Sequence, residues 1–251
     1  MPFDTCKRVE LGKGLHGITY YNENNTVTKV FYDDKILKHE FVVSTLLTDC
    51  SFVPRILSRG DKYLIFEYKG CNLFDVLEQK LPYNLKSITR QLLYAISGLH
   101  NRGIAHLDIK LENVLVKDGQ VSVCDFGLSE RMTKETLRTS SMKGPRGSMT
   151  YICPEMFTSN YNAIKADFWS LGTIIFALAY GIFPFQHAHQ EDDNFKKFYA
   201  FLKAGTSPYL ALKQLWRNHM RETMDTWWLI KVLDVLLHPD PEKRCFYNGS
   251  L

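Results

Sequence analysis

The hydrophobic pattern changes its period near residue 67. Before that point, short runs of β-branched and aromatic residues alternate with turn residues. Tyr20-Tyr21 and Thr26-Val27-Thr28-Lys29-Val30-Phe31 bracket the turn Asn22-Glu23-Asn24-Asn25, which predicts a β-hairpin. Val53 to Ile56 and Tyr63 to Phe66 are expected to complete one sheet. Residues 35–47 switch to helical spacing, with Ile36, Glu40, Val43 and Leu47 on one stripe. That stripe sets a carboxylate on an apolar face, and a buried carboxylate needs a partner.

Beyond Glu67 the period is mainly helical. Asn84 is the expected N-cap of a helix carrying Leu85, Ile88, Leu92, Ile96 and Leu99, with Gly103 closing it. The run Val114-Leu115-Val116 and the turn Lys117-Asp118-Gly119-Gln120 predict a second hairpin over 114–124. A long loop is expected from 128 to about 150, and mostly helix after it. The uncharged run 168–185 is broken by Gly172, Gly181 and Pro184, and Asp167 stands at its start. It is expected to be the central buried helix and not a membrane span. The pattern is that of an α+β protein, with a β-rich part over 1–67 and a mainly helical part over 68–251.

Composition narrows the picture little further. Hydrophobic residues make up 45% of the 251 positions and charged residues 23%, an ordinary globular balance. A formal net charge of +4 suits an acidic partner such as a nucleotide phosphate and does not demand nucleic acid. The six cysteines are scattered without a CxxC pair, and the eight histidines show no metal-ligand spacing. With no signal-peptide pattern at the N-terminus, this predicts reduced thiols in an intracellular protein. The loop 128–150 is basic, with Arg131, Lys134, Arg138, Lys143 and Arg146 against Glu130 and Glu135. A loop of that length is more often functional than idle.

The candidate chemistry lies in His106-Leu107-Asp108-Ile109-Lys110-Leu111-Glu112-Asn113 and Asp125-Phe126-Gly127. Asp108 and Asn113 are five positions apart, and Asp125 follows twelve later, after the predicted hairpin. This spacing suits phosphoryl transfer, whose catalysis is mostly positioning and charge neutralisation. In that reading Asp108 accepts the proton of a substrate hydroxyl and Lys110 neutralises the γ-phosphate. Asn113 and Asp125 hold Mg²⁺, which prefers oxygen ligands. Gly12, Gly14 and Gly17 form a glycine-rich turn between strands, which argues for a flap over phosphates and against a dinucleotide fold. Lys29 would hold the α and β phosphates of ATP, and Glu40 would fix Lys29. Val27 and Leu115 would enclose the adenine ring.

Together these residues resemble the eukaryotic protein kinase family over nearly the whole chain. Phe66-Glu67-Tyr68 is similar to the family's gatekeeper and hinge. Gly147-Ser148-x-x-Tyr151-Ile152-Cys153-Pro154-Glu155 is similar to its peptide-binding loop and APE signature. Asp167-x-Trp169-Ser170-x-Gly172 is similar to the start of its buried hub helix, and Arg244 matches the late arginine that the family pairs with the glutamate here at 155. The resemblance implies a two-lobed fold with a β-rich N-lobe and a mainly helical C-lobe. It also implies ATP and Mg²⁺ as cofactors and a protein substrate, and Ser148 favours serine or threonine as acceptor. A pseudokinase acting as a binding module and a small-molecule phosphotransferase are the rival readings.

The chain also departs from the family pattern. Leu107 replaces the arginine of the HRD motif, Leu111 a proline, Cys153 the alanine of APE and Thr19 a valine over the adenine. Ser44 stands where the family usually has an apolar residue. Without the HRD arginine, a phosphate on Thr139, Ser140 or Ser141 would lose its main anchor, which implies activity without loop phosphorylation. The runs around Asp108 and Asp125 look like the baculovirus protein kinases in particular. That resemblance implies a viral protein of the host cytoplasm and nucleus, with an arginine-rich DNA-packaging protein as substrate; the mild charge and the buried-helix reading of 168–185 lead us to expect no direct nucleic-acid or membrane binding.

Overall fold

Alternating strand-forming residues separated by short turns build the first sheet. In the computed structural model, which describes residues 8–133, 144–158, 160–220 and 227–245, it has five antiparallel strands. They are β1 (Arg8–Lys13), β2 (Gly17–Asn22), β3 (Thr26–Phe31), β4 (Ile56–Arg59) and β5 (Tyr63–Glu67), in the order β1-β2-β3-β5-β4. The turn between β2 and β3 places Asn25 at φ 60°, a left-handed conformation that asparagine tolerates. The strand expected over Val53–Ile56 instead begins at Ile56, because Pro54 has no N–H for a ladder. Helix α1 (Asp34–Leu46) packs on the sheet, and its N-cap Asp33 accepts from the backbone N–H of Lys35 at 2.7 Å. Its buried face is Leu37, Glu40, Val43 and Ser44. Ile36 is only half-buried, so the stripe is rotated by one position at its start. Leu37 joins Phe31 and Leu64 in the core of this sheet.

A smaller sheet contains β6 (Cys71–Asn72), β8 (Val114–Lys117) and β9 (Gln120–Val123), in the order β6-β8-β9. Asp118 and Gly119 join β8 to β9 with φ of 51° and 76°, the backbone of a two-residue hairpin turn. The chain divides into two units, Met1–Asn72 with Val114–Gly127 and Leu73–Asn113 with Leu128–Leu251. This differs from a single boundary at residue 67, because the 114–124 hairpin belongs to the sheet unit. Two sets of backbone hydrogen bonds account for that. Val123 N–H donates to the Phe52 carbonyl at 2.8 Å, and Cys71–Asn72 pair with Val116 and Leu115.

The helical unit contains α2 (Leu73–Glu78), α3 (Leu85–Asn101), α4 (Ala163–Tyr180), α5 (Asp193–Lys203), α6 (Pro208–Leu215) and α7 (Trp227–Leu236). Asn84 caps α3, its side chain accepting from Ser87 N–H at 2.9 Å. The apolar run expected as one helix over 168–185 forms α4 earlier, capped by Asn162, and stops at Gly181. Helix α4 is long and apolar enough to cross a membrane, but most of its residues are buried inside this unit, where it packs on α3 and α7. The segment 128–150 is not all loop. Strand β10 (Glu130–Arg131) pairs with β7 (Ile104–Ala105), and Met149–Tyr151 forms a 3₁₀ turn. Lys134, Glu135, Arg138 and Lys143, with Thr139, Ser140 and Ser141, lie outside the described residues.

Candidate active site

In the sheet unit, strand β3 and helix α1 present the first charged cluster. Lys29 Nζ lies 2.7 Å from Glu40 Oε2 and 2.9 Å from Asp125 Oδ1. Lys29 and Glu40 are buried, at 7% and 2% exposure. One ammonium therefore serves two carboxylates. Burial works against the charged lysine, but its two carboxylate partners prevail and raise its pKa above the ordinary range. Burial pushes Glu40 up to about 7 against the pull of Lys29. Asp125 moves the other way. Burial opposes its charge, yet Lys29, His16 and the Gly127 N–H hold its carboxyl well below the usual range.

The glycine-rich turn closes on the same cluster. His16 Nδ1 is 4.0 Å from Asp125 Oδ1. The Gly14 N–H donates to the Gly17 carbonyl at 2.9 Å. A Cβ on Gly17 would lie 2.0 Å from the Val30 carbonyl oxygen, so the close approach of β2 to β3 requires glycine there. Gly12 and Gly14 face open space, and no packing dictates them. Val27 is opposite Phe66 on the neighbouring strand, and Leu115 lies on β8 opposite Ser122. Glu67 accepts from Arg55 N–H at 2.9 Å and pairs with Lys69 at 3.1 Å. Burial opposes its charge, but these hydrogen bonds lower its pKa. Tyr68 meets Tyr21 edge-to-face, with ring centroids 4.9 Å apart.

In the helical unit the second cluster centres on Asp108. Its Oδ2 pairs with Lys110 Nζ at 2.9 Å and accepts from Asn113 Nδ2 at 3.1 Å. Its Oδ1 accepts from Ser148 N–H at 3.2 Å and from the Ser148 hydroxyl at 3.3 Å. Lys110 Nζ also donates to Ser148 Oγ at 3.1 Å. Ser148 comes this close because Gly147 precedes it at φ 89°, where a Cβ would lie 2.7 Å from the Leu107 carbonyl oxygen. The structure thus gathers Lys29, Glu40 and Asp125 in one unit and Asp108, Lys110 and Asn113 in the other.

Sequence reasoning missed what holds the Asp108 loop in place. Asp167, 1% exposed on α4, accepts from Leu107 N–H on Oδ1 and from His106 N–H on Oδ2, both at 2.8 Å. His100, near the end of α3, shares Oδ2 at 2.8 Å. These partners are 60 or more positions from Asp167 in sequence, and only the buried aspartate at the start of an apolar run hinted at them. Lower in the unit, fully buried Arg244 spends all five N–H groups. Two reach Glu155 at 2.8 Å each, and three reach the carbonyls of His238, Lys165 and Pro239 at 2.8, 2.7 and 3.2 Å.

Each unit holds a side chain with an oxygen of the kind Mg²⁺ selects. Asn113 commits its amide nitrogen to Asp108, to the carbonyl at 2.8 Å and to Oδ2. Asp125 stays ionised at neutral pH. A carboxylate and an amide oxygen are hard ligands of the kind Mg²⁺ selects.

Residues 21–248 match the protein kinase domain family. The zebrafish (Danio rerio) serine/threonine-protein kinase SBK1 is 27% identical, an alignment covering 94% of this chain and 64% of that protein. The CBL-interacting serine/threonine-protein kinase 16 of Arabidopsis thaliana is 30% identical over 92% of this chain and 51% of its own length. The serine/threonine-protein kinase CHK1 of Saccharomyces cerevisiae is 30% identical over 96% of this chain and 42% of its own. The chain therefore spans less than two thirds of each of these relatives.

Proposed function

Because the chain belongs to the protein kinase domain family, we propose that it is a serine/threonine kinase transferring the γ-phosphate of Mg·ATP to a protein hydroxyl. The observation that carries this reading is the division of labour on Asp108. Oδ2 is neutralised by Lys110, while Oδ1 already accepts a serine hydroxyl, that of Ser148. A substrate serine or threonine presents the same O–H group. Asp108 takes its proton as the oxygen attacks, and Lys110 offsets the charge on the transferred phosphoryl. General-base assistance of this kind contributes about 10²–10⁴-fold.

Lys29 is assigned to the α and β phosphates, with Glu40 fixing its side chain. Gly12, Gly14 and Gly17 form the flap, Val27 and Leu115 the adenine contacts, and Phe66, Glu67 and Tyr68 the hinge. A bound Mg²⁺ would neutralise phosphate charge, and Asn113 and Asp125 are the residues that would hold it. Six scattered cysteines support an intracellular setting. The likeness of the Asp108 and Asp125 runs to baculovirus kinases supports a finer proposal, an arginine-rich DNA-packaging protein as substrate in an infected host cell.

The test incubates the purified protein with radiolabelled ATP and Mg²⁺, offering protamine, casein and a pool of metabolites in parallel. Phosphoserine or phosphothreonine in a protein is the expected product, with protamine preferred if the finer proposal is right. Nucleotide binding without transfer would identify a pseudokinase, and transfer to metabolites alone a small-molecule phosphotransferase.

A further inference from the structure

The basic segment 128–150 contains two acids, Glu130 and Glu135, and one of them has a cationic partner across the segment. Glu130 Oε1 lies 2.9 Å from Arg146 Nη1, with the two side chains 38% and 39% exposed. Glu130 is fixed by backbone pairing. On β10 it stands opposite Ala105, Arg131 stands opposite Ile104, and Met132 N–H donates to the Gly103 carbonyl at 2.6 Å. Strand β7 is buried and leads directly into His106-Leu107-Asp108. Arg146 immediately precedes Gly147, where an added Cβ would meet the Leu107 carbonyl, and Ser148, whose N–H donates to Asp108. The ion pair therefore ties the strand before Asp108 to the residues that face it.

A buried phenol also feels the pair's charges. Tyr161 is 2% exposed, and its hydroxyl has no hydrogen-bond partner among the described residues. Burial pushes its phenol up to about 12 against the pull of the Arg146 charge, with Cys153 and Glu130 adding to the rise.

We infer that Glu130 and Arg146 are positioning residues, an internal charge clamp that seats Gly147–Ser148 against Asp108 and so governs phosphorylation of a protein acceptor. The inference rests on the kinase reading. Neither side chain touches the reacting atoms. The clamp acts on the acceptor side alone, so the nucleotide cluster of Lys29, Glu40 and Asp125 keeps its properties when the clamp is broken.

The test compares wild type with Glu130→Arg, Arg146→Glu and the double swap, using protamine and casein as acceptors. Reversing one charge removes an attraction and adds a repulsion. For a partly exposed pair this gives a loss of about tenfold in kcat/KM for the protein acceptor. KM for ATP stays unchanged, the unfolding midpoint falls by only a few degrees, and the double swap restores kcat/KM to within about threefold of wild type. If a reversal does not fold, the neutral Glu130→Gln and Arg146→Gln are measured with their double variant, and single losses that fail to multiply support the clamp. Unaltered kcat/KM in folded single variants, or losses that multiply without rescue, overturn it while leaving the kinase reading intact. A wild type that phosphorylates no protein refutes the kinase reading, and the clamp with it.

Discussion

Arg244→Met removes the guanidinium that pairs with Glu155. Arg244 is fully buried, and Glu155 is 9% exposed. The substitution strips Glu155 of two hydrogen bonds of 2.8 Å and takes one donor from each of three backbone carbonyls. Two charge-assisted bonds at about 1.5–3 kcal/mol each suggest a loss of about 3–6 kcal/mol. This agrees with the roughly 3–5 kcal/mol found when one member of a buried pair is deleted. For a chain of this size that lowers Tm by about 10 °C.

The neighbouring Cys153 provides a local probe. It is 0% exposed, and burial with the nearby Glu155 charge pushes its thiol pKa far up, so it is unreactive in the native protein. Urea unfolding followed by circular dichroism gives the global loss, and pulsed iodoacetamide with peptide mass spectrometry gives the rate of Cys153 exposure. Both should rise together in Arg244→Met, and adding Glu155→Gln should recover about 1–2 kcal/mol by removing the stranded charge. A loss below about 1 kcal/mol, or a Cys153 rate unchanged from wild type, would refute the claim that this pair locks the segment around residues 153–157.

Other outcomes follow from the two charged clusters. Asp108→Asn should cut turnover by about 10²–10⁴-fold while ATP affinity, read by calorimetry, stays within about threefold. Activity within tenfold of wild type would remove Asp108 from its role as base. Lys29→Met should lower turnover strongly and Glu40→Gln less, with the double variant losing less than the product of the two; multiplicative losses would separate Glu40 from Lys29. Leu107 brings neither charge nor donor next to Asp108, so phosphatase-treated protein, verified by mass spectrometry over 128–150, should keep its rate. A tenfold loss restored by rephosphorylation would show that a phosphate is needed after all.

Local chemistry was readable from the sequence wherever a residue conflicted with its own pattern. A glutamate on the apolar stripe of α1 asked for a cation, and Lys29 is 2.7 Å away. Asparagine before a helical run gave the Asn84 cap, and Asp-Gly between apolar runs gave the β8–β9 turn. The start of the stripe was read one position early, because Ile36 and Leu37 are equally apolar and only packing against Phe31 and Leu64 chooses between them. The grouping of 114–124 with the first sheet was not legible for a different reason. Strand period reveals that 114–124 is a hairpin but not which sheet accepts it, and that choice is made by Phe52 and Cys71–Asn72. Asp167 and the Glu130–Arg146 pair were hidden because their partners are remote or stand among other basic residues, where spacing carries no information.

Backbone strain links these hidden contacts to the chemistry. Among the described residues, five non-glycines adopt positive φ. Asn25 and Asp118 are turn residues of types that tolerate it, and Lys80 stands just beyond α2. The other two are Leu107 at 62° and Asp125 at 65°, one beside the proposed base and one the proposed metal ligand. Such conformations cost about 1–3 kcal/mol each and persist only where their surroundings over-determine them. For Leu107 the restraints are burial of its side chain and the 2.8 Å bond from its N–H to Asp167. For Asp125 they are Lys29 and the Gly127 N–H on the same carboxylate oxygen. In both cases the restraint is a charged side chain that also serves the site, so strain and function share their supports. Asp167→Asn tests this sharing, because an amide can accept on only one atom. It should free either the Leu107 N–H or the His106 N–H, letting Leu107 leave the left-handed region and moving Asp108 with it. Turnover should then fall by more than the loss of stability alone would cause.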